Sequence, residues 1–146
     1  MHYDHKQSEL INANTWKNDF FNPQYNFGFG LSYTSFEYSN INLEKSDYLL
    51  SEKDIIISVD IKNTGEIAGK EVVQLYARDH FASISPPLRK LVRYNKVTLG
   101  AGETITVSFS VSFEDLGFYN YDNIWVNEPG KHSFYIDNLE ATFNLK

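Results

Sequence analysis

Paired carboxyl groups are the first candidates for chemistry in this sequence, and Glu114 and Asp115 are its only adjacent acidic pair. Two carboxyl groups can share nucleophilic and acid–base roles when they face each other about 5–5.5 Å apart and one has a raised pKa. Side chains of neighbouring residues instead diverge. The pair opens the segment EDLGFY, which predicts one helical turn with the acids at its positive end. We therefore interpret both acids as capping or surface residues.

Two glycine-containing motifs near residue 30 begin like catalytic or cofactor-binding signatures. Residues 30–34 (GLSYT) start as a nucleophile elbow does, but that motif needs a second glycine where Thr34 stands. Residues 28–30 (GFG) start as a dinucleotide fingerprint does, but Tyr33 replaces its third glycine and no helix is predicted to follow. We expect the glycines to let the backbone turn tightly between the rings of Phe27, Phe29 and Tyr33.

The histidines offer little for a metal site, and the sequence has no cysteine. Only His2 and His5 fall at a metal-ligand spacing, and they lie in a segment with no strand or helix pattern. His80 and His132 are expected to be ordinary solvated side chains. Disulfides, thiolate nucleophiles and cysteine-ligated metals are excluded. The sequence therefore predicts no cofactor and no metal.

Charge and hydropathy exclude two further classes of partner. The net charge is -6, and no basic run is long enough to follow a phosphate backbone. The longest apolar runs are far shorter than the roughly 20 residues that span a bilayer, and the N-terminus is polar, unlike a signal peptide. We expect neither nucleic acid nor a membrane as partner. Export of a larger parent protein to the periplasm or the medium would need a signal outside this sequence.

From residue 31 onward, runs of alternating apolar and polar residues predict successive strands separated by turns. Turns at 63–66, 100–103 and 127–130 are expected to place Gly65, Gly100, Gly102 and Gly130 in left-handed positions. The pattern predicts an all-β, antiparallel sandwich of about seven strands, at 35–43, 54–63, 69–78, 90–99, 104–112, 130–136 and 141–145. Its expected core consists of Ile57, Val59, Ile61, Val73, Leu75, Val107, Phe109, Phe134 and Ile136.

A positive stripe and one tryptophan in the strand region each have two interpretations. Arg89, Lys90, Arg93 and Lys96 follow one strand, where they could face an acidic partner but more commonly protect an edge strand from pairing with another chain. Trp125 could stack on a sugar ring or fill the core.

Residues 1–30 are predicted to form an extended arm or linker that precedes the domain at 31–146, because residues 1–16 are polar and asparagine-rich and show no strand or helix period. Its second half contains more large rings than a surface ordinarily leaves in water, since each can bury about 150–250 Å². We predict that these rings dock on another domain, with stacking on sugar rings as the alternative; they are Trp16, Phe20, Phe21, Tyr25, Phe27 and Phe29.

Two segments carry a family resemblance. Residues 20–38 (FFNPQYNFGFGLSYTSFEY) resemble the junction Pro-Phe-Gly-aromatic-Gly-Leu-Ser-Tyr-Thr, where the C-terminal fibronectin type III-like domain of glycoside hydrolase family 3 begins. Residues 62–79 (KNTGEIAGKEVVQLYARD) are similar to the family's Asn-Thr-Gly, Ala-Gly and Glu-Val-Val-Gln-Leu-Tyr landmarks. The resemblance covers residues 20–145 and implies a fibronectin type III-like sandwich. Asn26, Ala101, Lys90 and Arg93 depart from the family pattern, which bears on local turns and an interdomain contact.

The resemblance implies a role without catalysis. The family's aspartate nucleophile and glutamate acid/base belong to preceding domains, so no catalytic residue is transferred here. The first hypothesis is a structural C-terminal domain that supports the catalytic domains of a β-glucosidase-like or β-xylosidase-like parent. The alternative is a free-standing module that binds a glycan or a protein, and an autonomous enzyme fits the residues worst. If the aromatic arm has lost its cover, it could also mediate self-association.

Overall fold

A computed structural model describes residues 30, 32–52, 54–83 and 89–146 of the chain. Short turns connect almost all of the secondary-structure elements in the described residues, and one of these elements is a helix. In chain order they are β1 (Phe36–Leu43), β2 (Asp47–Tyr48), β3 (Asp54–Asn63), β4 (Gly69–Asp79), β5 (Lys90–Leu99), β6 (Thr104–Ser112), α1 (Phe113–Leu116), β7 (Phe118–Tyr119), β8 (Trp125–Val126), β9 (Gly130–Ile136) and β10 (Leu139–Leu145).

Two sheets form the layers of a sandwich. The smaller sheet has the order β1-β3-β6 with antiparallel neighbours, and β3 pairs with β6 from Asp54–Ser112 to Lys62–Thr104. The larger sheet has the order β2-β10-β9-β4-β5, in which only the short β2 runs parallel to its neighbour. Strands β7 and β8 form a separate hairpin. The predicted all-β sandwich is confirmed.

The core lies between the two sheets, as period-2 alternation requires. In β3, Ile55, Ile57, Val59 and Ile61 have no exposed surface, while the residues between them face outward. All nine residues predicted for the core are buried. Phe134 and Phe143 are the largest fully buried side chains among the described residues, and their ring centroids lie 4.8 Å apart.

The seven predicted strands match the seven long strands, and β10 begins two residues earlier than predicted, at Leu139. Three two-residue strands (β2, β7 and β8) were not predicted, because two residues cannot show an alternating pattern. Gly102 and Gly130 have the expected positive φ, of 72° and 154°. Gly65 and Gly100 do not, so that prediction was wrong for both. Glycine is needed at position 65 because a neighbouring side chain leaves no room for a Cβ atom.

Candidate interdomain junction

The chain reaches the sandwich at Thr34, which lies in a notch between two glycines. A methyl group built on Gly65 would overlap Thr34 Oγ1, and one built on Gly69 would overlap Thr34 Cγ2 and lie 3.0 Å from Cζ of Phe36. Any side chain at either position would push the incoming segment away. The notch therefore explains why glycine occupies two positions whose backbone conformation does not demand it.

Asn63, at the end of β3, holds the notch together from inside. Its side chain is completely buried. Its Oδ1 accepts hydrogen bonds from the Thr34 hydroxyl at 2.7 Å and from the Gly65 N–H at 3.1 Å. Its Nδ2 donates to the carbonyl oxygens of Ile67 at 2.8 Å and Leu99 at 3.2 Å. One amide thus joins the incoming segment, the β3–β4 turn and the end of β5.

Three backbone hydrogen bonds add to these contacts at the same end of the sandwich. The Thr64 N–H donates to Ser35 O at 2.8 Å, just before β1. The Asn63 N–H donates to Glu103 O at 2.9 Å, and the Gly102 N–H donates back to Asn63 O at 3.0 Å. The incoming segment and two turns are therefore hydrogen-bonded to Asn63 and Thr64.

The surface beside the notch is open. The Tyr33 side chain is fully exposed and Ile67 is about half exposed. An open groove of about 360 Å³ lies here among the described residues, lined by Ser32, Tyr33, Thr34, Ala68, Gly69 and Lys70. The end of the sandwich that receives the chain thus combines a rigid anchor with exposed apolar groups, as a contact with a preceding domain would require.

Filling the notch should loosen the junction. We expect Gly65→Ala to lower the free energy of unfolding by about 1–3 kcal/mol, because the new methyl group displaces Thr34 from Asn63. Urea unfolding followed by circular dichroism measures the change. In the Thr34→Ala background, which removes the hydroxyl, the cost should be smaller; an equal cost in both backgrounds would show that the notch does not restrict position 65.

The predicted arm rings, Trp16, Phe20, Phe21, Tyr25, Phe27 and Phe29, lie outside the described residues, as do His2 and His5. Their docking stays a prediction. Within the described part of the chain, no helix is long and apolar enough to cross a membrane.

Glu114 and Asp115 lie in α1, the short helix that was expected there. Asp115 completes a capping box with Ser112, since its Oδ2 accepts from Ser112 N at 3.0 Å. The same oxygen also accepts from Ser112 Oγ at 2.7 Å. Arg93 of β5 also donates to this oxygen. Burial alone would raise the pKa of Asp115, but the hydrogen bonds from Arg93 and Ser112 outweigh it and hold that pKa below its usual value of 3.8. The acid is a capping group, as interpreted from the sequence.

This low pKa predicts a pH-dependent contribution to stability. A carboxyl group with a depressed pKa in the folded state stabilises the fold above its unfolded pKa, and the effect is lost as the pH falls through the folded value. We expect Asp115→Asn to cost about 1 kcal/mol at pH 7. The difference from the unmodified chain should shrink as the pH is lowered below 3.8. Urea unfolding at several pH values measures it, and a difference independent of pH would contradict the assignment.

Lys90, Arg93 and Lys96 of the positive stripe lie on β5, and Arg89 directly precedes it; β5 is indeed an edge strand of the larger sheet. Three of the four cations have partners within the chain. Lys90 Nζ donates to Asp115 O at 3.0 Å and Gly117 O at 3.2 Å, Arg93 pairs with Asp115, and Arg89 lies 4.0 Å over the ring of Tyr135. Lys90 and Arg93 therefore attach the α1–β7 segment to the sheet edge.

Of the two described histidines, His80 is partly exposed and His132 is buried, so the prediction of a solvated side chain was wrong for His132. His132 is buried, stacks on Phe143 with ring centroids 5.6 Å apart, and places Nε2 3.6 Å from Asp79 Oδ2. His80 Nε2 lies 2.8 Å from the hydroxyl of Ser133. Burial, with Arg78 and Lys131 adding to it, lowers the pKa of His80. The burial of His132 was not predicted because both faces of β9 are covered, so no alternating pattern distinguishes its buried residues.

Ser133, His80 and Glu140 have the side-chain types of a hydrolytic triad. Their hydrogen bonds instead join neighbouring strands inside the fold. Ser133 has no exposed surface, and its hydroxyl donates to Glu140 Oε1 at 2.7 Å. A nucleophile must reach its substrate and pass its proton to a base. Among the described residues, no group of three His, Cys, Asp or Glu side chains could hold a metal ion. The described residues therefore contain no catalytic constellation, and the polar side chains discussed here stabilise the fold.

Comparisons with known proteins agree with this geometry. A family model described as a fibronectin type III-like domain matches residues 71–139. A β-xylosidase of Formosa agariphila is 39% identical over 85% of this chain and 17% of that enzyme, and thermostable β-glucosidase B of Acetivibrio thermocellus is 40% identical over 85% and 16%. The structure of a Listeria innocua β-glucosidase in complex with glucose superposes with a TM-score of 0.77 and 38% identity, over 84% of this chain and 18% of that one.

The chain thus spans less than a fifth of the length of each of these relatives. More than four fifths of each of those enzymes lies outside the matched region. The sandwich and the family model together show that the chain carries a fibronectin type III-like domain, and the sequence identities show that it is similar to a small accessory part of β-glucosidases and β-xylosidases of glycoside hydrolase family 3, outside their catalytic domains.

Proposed function

We propose that this chain supports the catalytic domains of a longer family 3 glycosidase by holding the polypeptide that leaves them. The observation that carries the proposal is the junction, in which buried Asn63 and the glycine notch fix Thr34 to the sandwich. A segment fixed in this way restricts the orientation of the sandwich relative to the domain that precedes it in the chain. The printed names of the relatives support a β-glucosidase or β-xylosidase as the parent.

Support of this kind requires rigidity at the junction and no chemistry of its own. Rigidity follows from the buried hydrogen bonds, which are costly to break without replacement. Acyl transfer, glycosyl transfer and metal-assisted hydrolysis each need a reachable nucleophile, a carboxyl pair or a metal. The candidate groups in the described residues are used for capping and for internal hydrogen bonds.

The coding region upstream of the Met1 codon tests the proposal. A continuous reading frame that encodes the catalytic part of a family 3 glycosidase is expected. A stop codon followed by a separate promoter would refute it. The purified chain itself should hydrolyse chromogenic β-glucosides and β-xylosides no faster than buffer. Turnover that persists through repurification would equally overturn the proposal.

A further inference from the structure

A small hairpin forms an exposed apolar surface at the end of the sandwich opposite the junction. Strands β1, β3 and β4 bring the junction to one end, whereas β6 runs to Ser112 at the other end and continues through α1 into β7 and β8. Four large side chains of this hairpin are exposed, and none of them is charged. They are Tyr119 (58%), Tyr121 (86%), Ile124 (57%) and Trp125 (42%). We refer to them as the hairpin patch.

The loop of the hairpin is held in one conformation by its own polar groups. Asn120 Oδ1 accepts from the N–H groups of Asp122 and Ile124, both at 3.0 Å. The Asn120 N–H donates to Ile124 O at 3.0 Å, and Asn123 adopts a left-handed φ of 59°. Such Asx turns fix a loop without a core beneath it. Tyr121 and Ile124 are therefore presented in a defined arrangement.

The Trp125 ring is also held from below. Its indole N–H donates to Glu114 O at 3.2 Å, and the Lys90 ammonium lies 4.9 Å from the ring centroid. Gly117 packs so close that a methyl group built on it would overlap the indole. These contacts satisfy the indole N–H and fix the position of the ring, and 42% of the residue remains exposed. A rigid, exposed aromatic group loses little entropy when a partner covers it.

The chemistry of the hairpin patch fits a protein surface better than a glycan. The ring of Tyr119 stands at 74° to that of Trp125, with centroids 4.8 Å apart. The two rings therefore do not form the flat platform on which successive sugar units stack. Ile124 and Tyr121 extend the patch with apolar surface, and protein interfaces are enriched in Tyr, Trp and apolar anchors of this kind.

The length of the relatives identifies a candidate partner. More than four fifths of each matched enzyme lies outside the matched region. On the proposed function, those domains are tethered to this chain, and a tethered partner acts at an effective concentration on the order of millimolar. A weak apolar contact becomes occupied under such conditions.

We propose that the hairpin patch is a second docking point for the catalytic domains of the same longer polypeptide, at the end of the sandwich away from the junction. This inference rests on the proposed function. A ten-residue strand such as β3 spans about 33 Å, so contacts at both ends would prevent the sandwich from pivoting about the junction. Lys90 and Arg93 then serve to hold the docking element in place.

Hydroxyl-radical labelling with mass spectrometry tests the proposal. The labels on Tyr119, Tyr121 and Trp125 are compared between this chain alone and the long polypeptide encoded by its full reading frame. We expect labelling of these rings to fall at least about fivefold in the long polypeptide, as burial of aromatic groups in an interface requires. Tyr94, which is exposed on the face of β5, is the matched control and should label equally in both.

The outcomes separate this inference from the function on which it rests. Absence of an upstream glycosidase reading frame overturns both. A continuous frame with unchanged labelling overturns the docking point alone. Protection of the chain by itself on addition of β-glucan oligosaccharides, or on raising its own concentration, would assign the patch to a glycan or to a second copy and also overturn it.

A pair of substitutions gives a second readout. Tyr121→Ser combined with Ile124→Ser should leave the unfolding temperature of the isolated chain unchanged, because both side chains are exposed. In the long polypeptide the same pair should restore labelling of Trp125, whereas Tyr94→Ser should not. Continued protection of Trp125 in the double variant would contradict a docking contact through the hairpin tip.

Discussion

Replacement of Asn63 by alanine is expected to lower the free energy of unfolding by about 3–5 kcal/mol, since each buried polar group left without its partner costs about 1–3 kcal/mol. The change removes four hydrogen bonds at once. The carbonyl oxygens of Ile67 and Leu99 lose their donor, and the Thr34 hydroxyl and the Gly65 N–H lose their acceptor. Urea unfolding followed by circular dichroism measures the loss.

The Asn63 variant should also loosen the chain locally. Amide hydrogen exchange at Thr64 and Gly65 should accelerate more than exchange in the centre of β9, because the lost bonds lie at one end of the sandwich. Asn95→Ala, at an exposed position on β5, is the matched control and should change stability by less than about 0.5 kcal/mol. A similar effect of both substitutions would show that Asn63 is not the anchor of the junction.

Phe134→Ala is expected to have the other large effect, a loss of about 3–5 kcal/mol. Phe134 is completely buried in the centre of the larger sheet and packs on Phe143. The cost combines the lost transfer free energy of the ring with the cavity left between the two sheets. Thermal unfolding of the variant should show a single transition at a lower temperature.

Phe81→Ala is the matched control for the core substitution. Phe81 is 73% exposed, so its removal should change stability by less than about 0.5 kcal/mol. The two large effects should also differ in distribution, since Phe134→Ala is expected to accelerate exchange throughout both sheets. Acceleration confined to one strand would mean that the sheets do not share one core.

The long strands were predictable because their burial is one-sided. Ile55, Ile57, Val59 and Ile61 alternate with more polar neighbours, and this pattern alone sets the orientation of β3. The bounds of β9 were also predicted, but the burial of its polar residues was not. His132 and Ser133 are both buried although they point to opposite faces. Polar residues inside a covered strand are indistinguishable in sequence from solvated ones.

The junction was recognisable as a landmark, but its mechanism was not. The sequence Asn63-Thr64-Gly65 reads as an ordinary turn, and a turn predicts a left-handed glycine. The actual requirement is that Thr34, 29 positions earlier than Asn63, approaches too closely for a side chain at Gly65. Contacts between residues so far apart in the chain leave no local periodicity. Trp125 was likewise undetermined, because its exposure depends on Lys90 and Gly117.

The half-life of glycosidase activity on heating is the most direct test of the account. It is measured for the long polypeptide encoded by the full reading frame and for the same polypeptide ended before residue 30. Support by the sandwich predicts that the truncated protein fails to accumulate in soluble form or loses activity at least about tenfold faster. A soluble truncated protein with unchanged kcat/KM and an unchanged half-life would contradict the account.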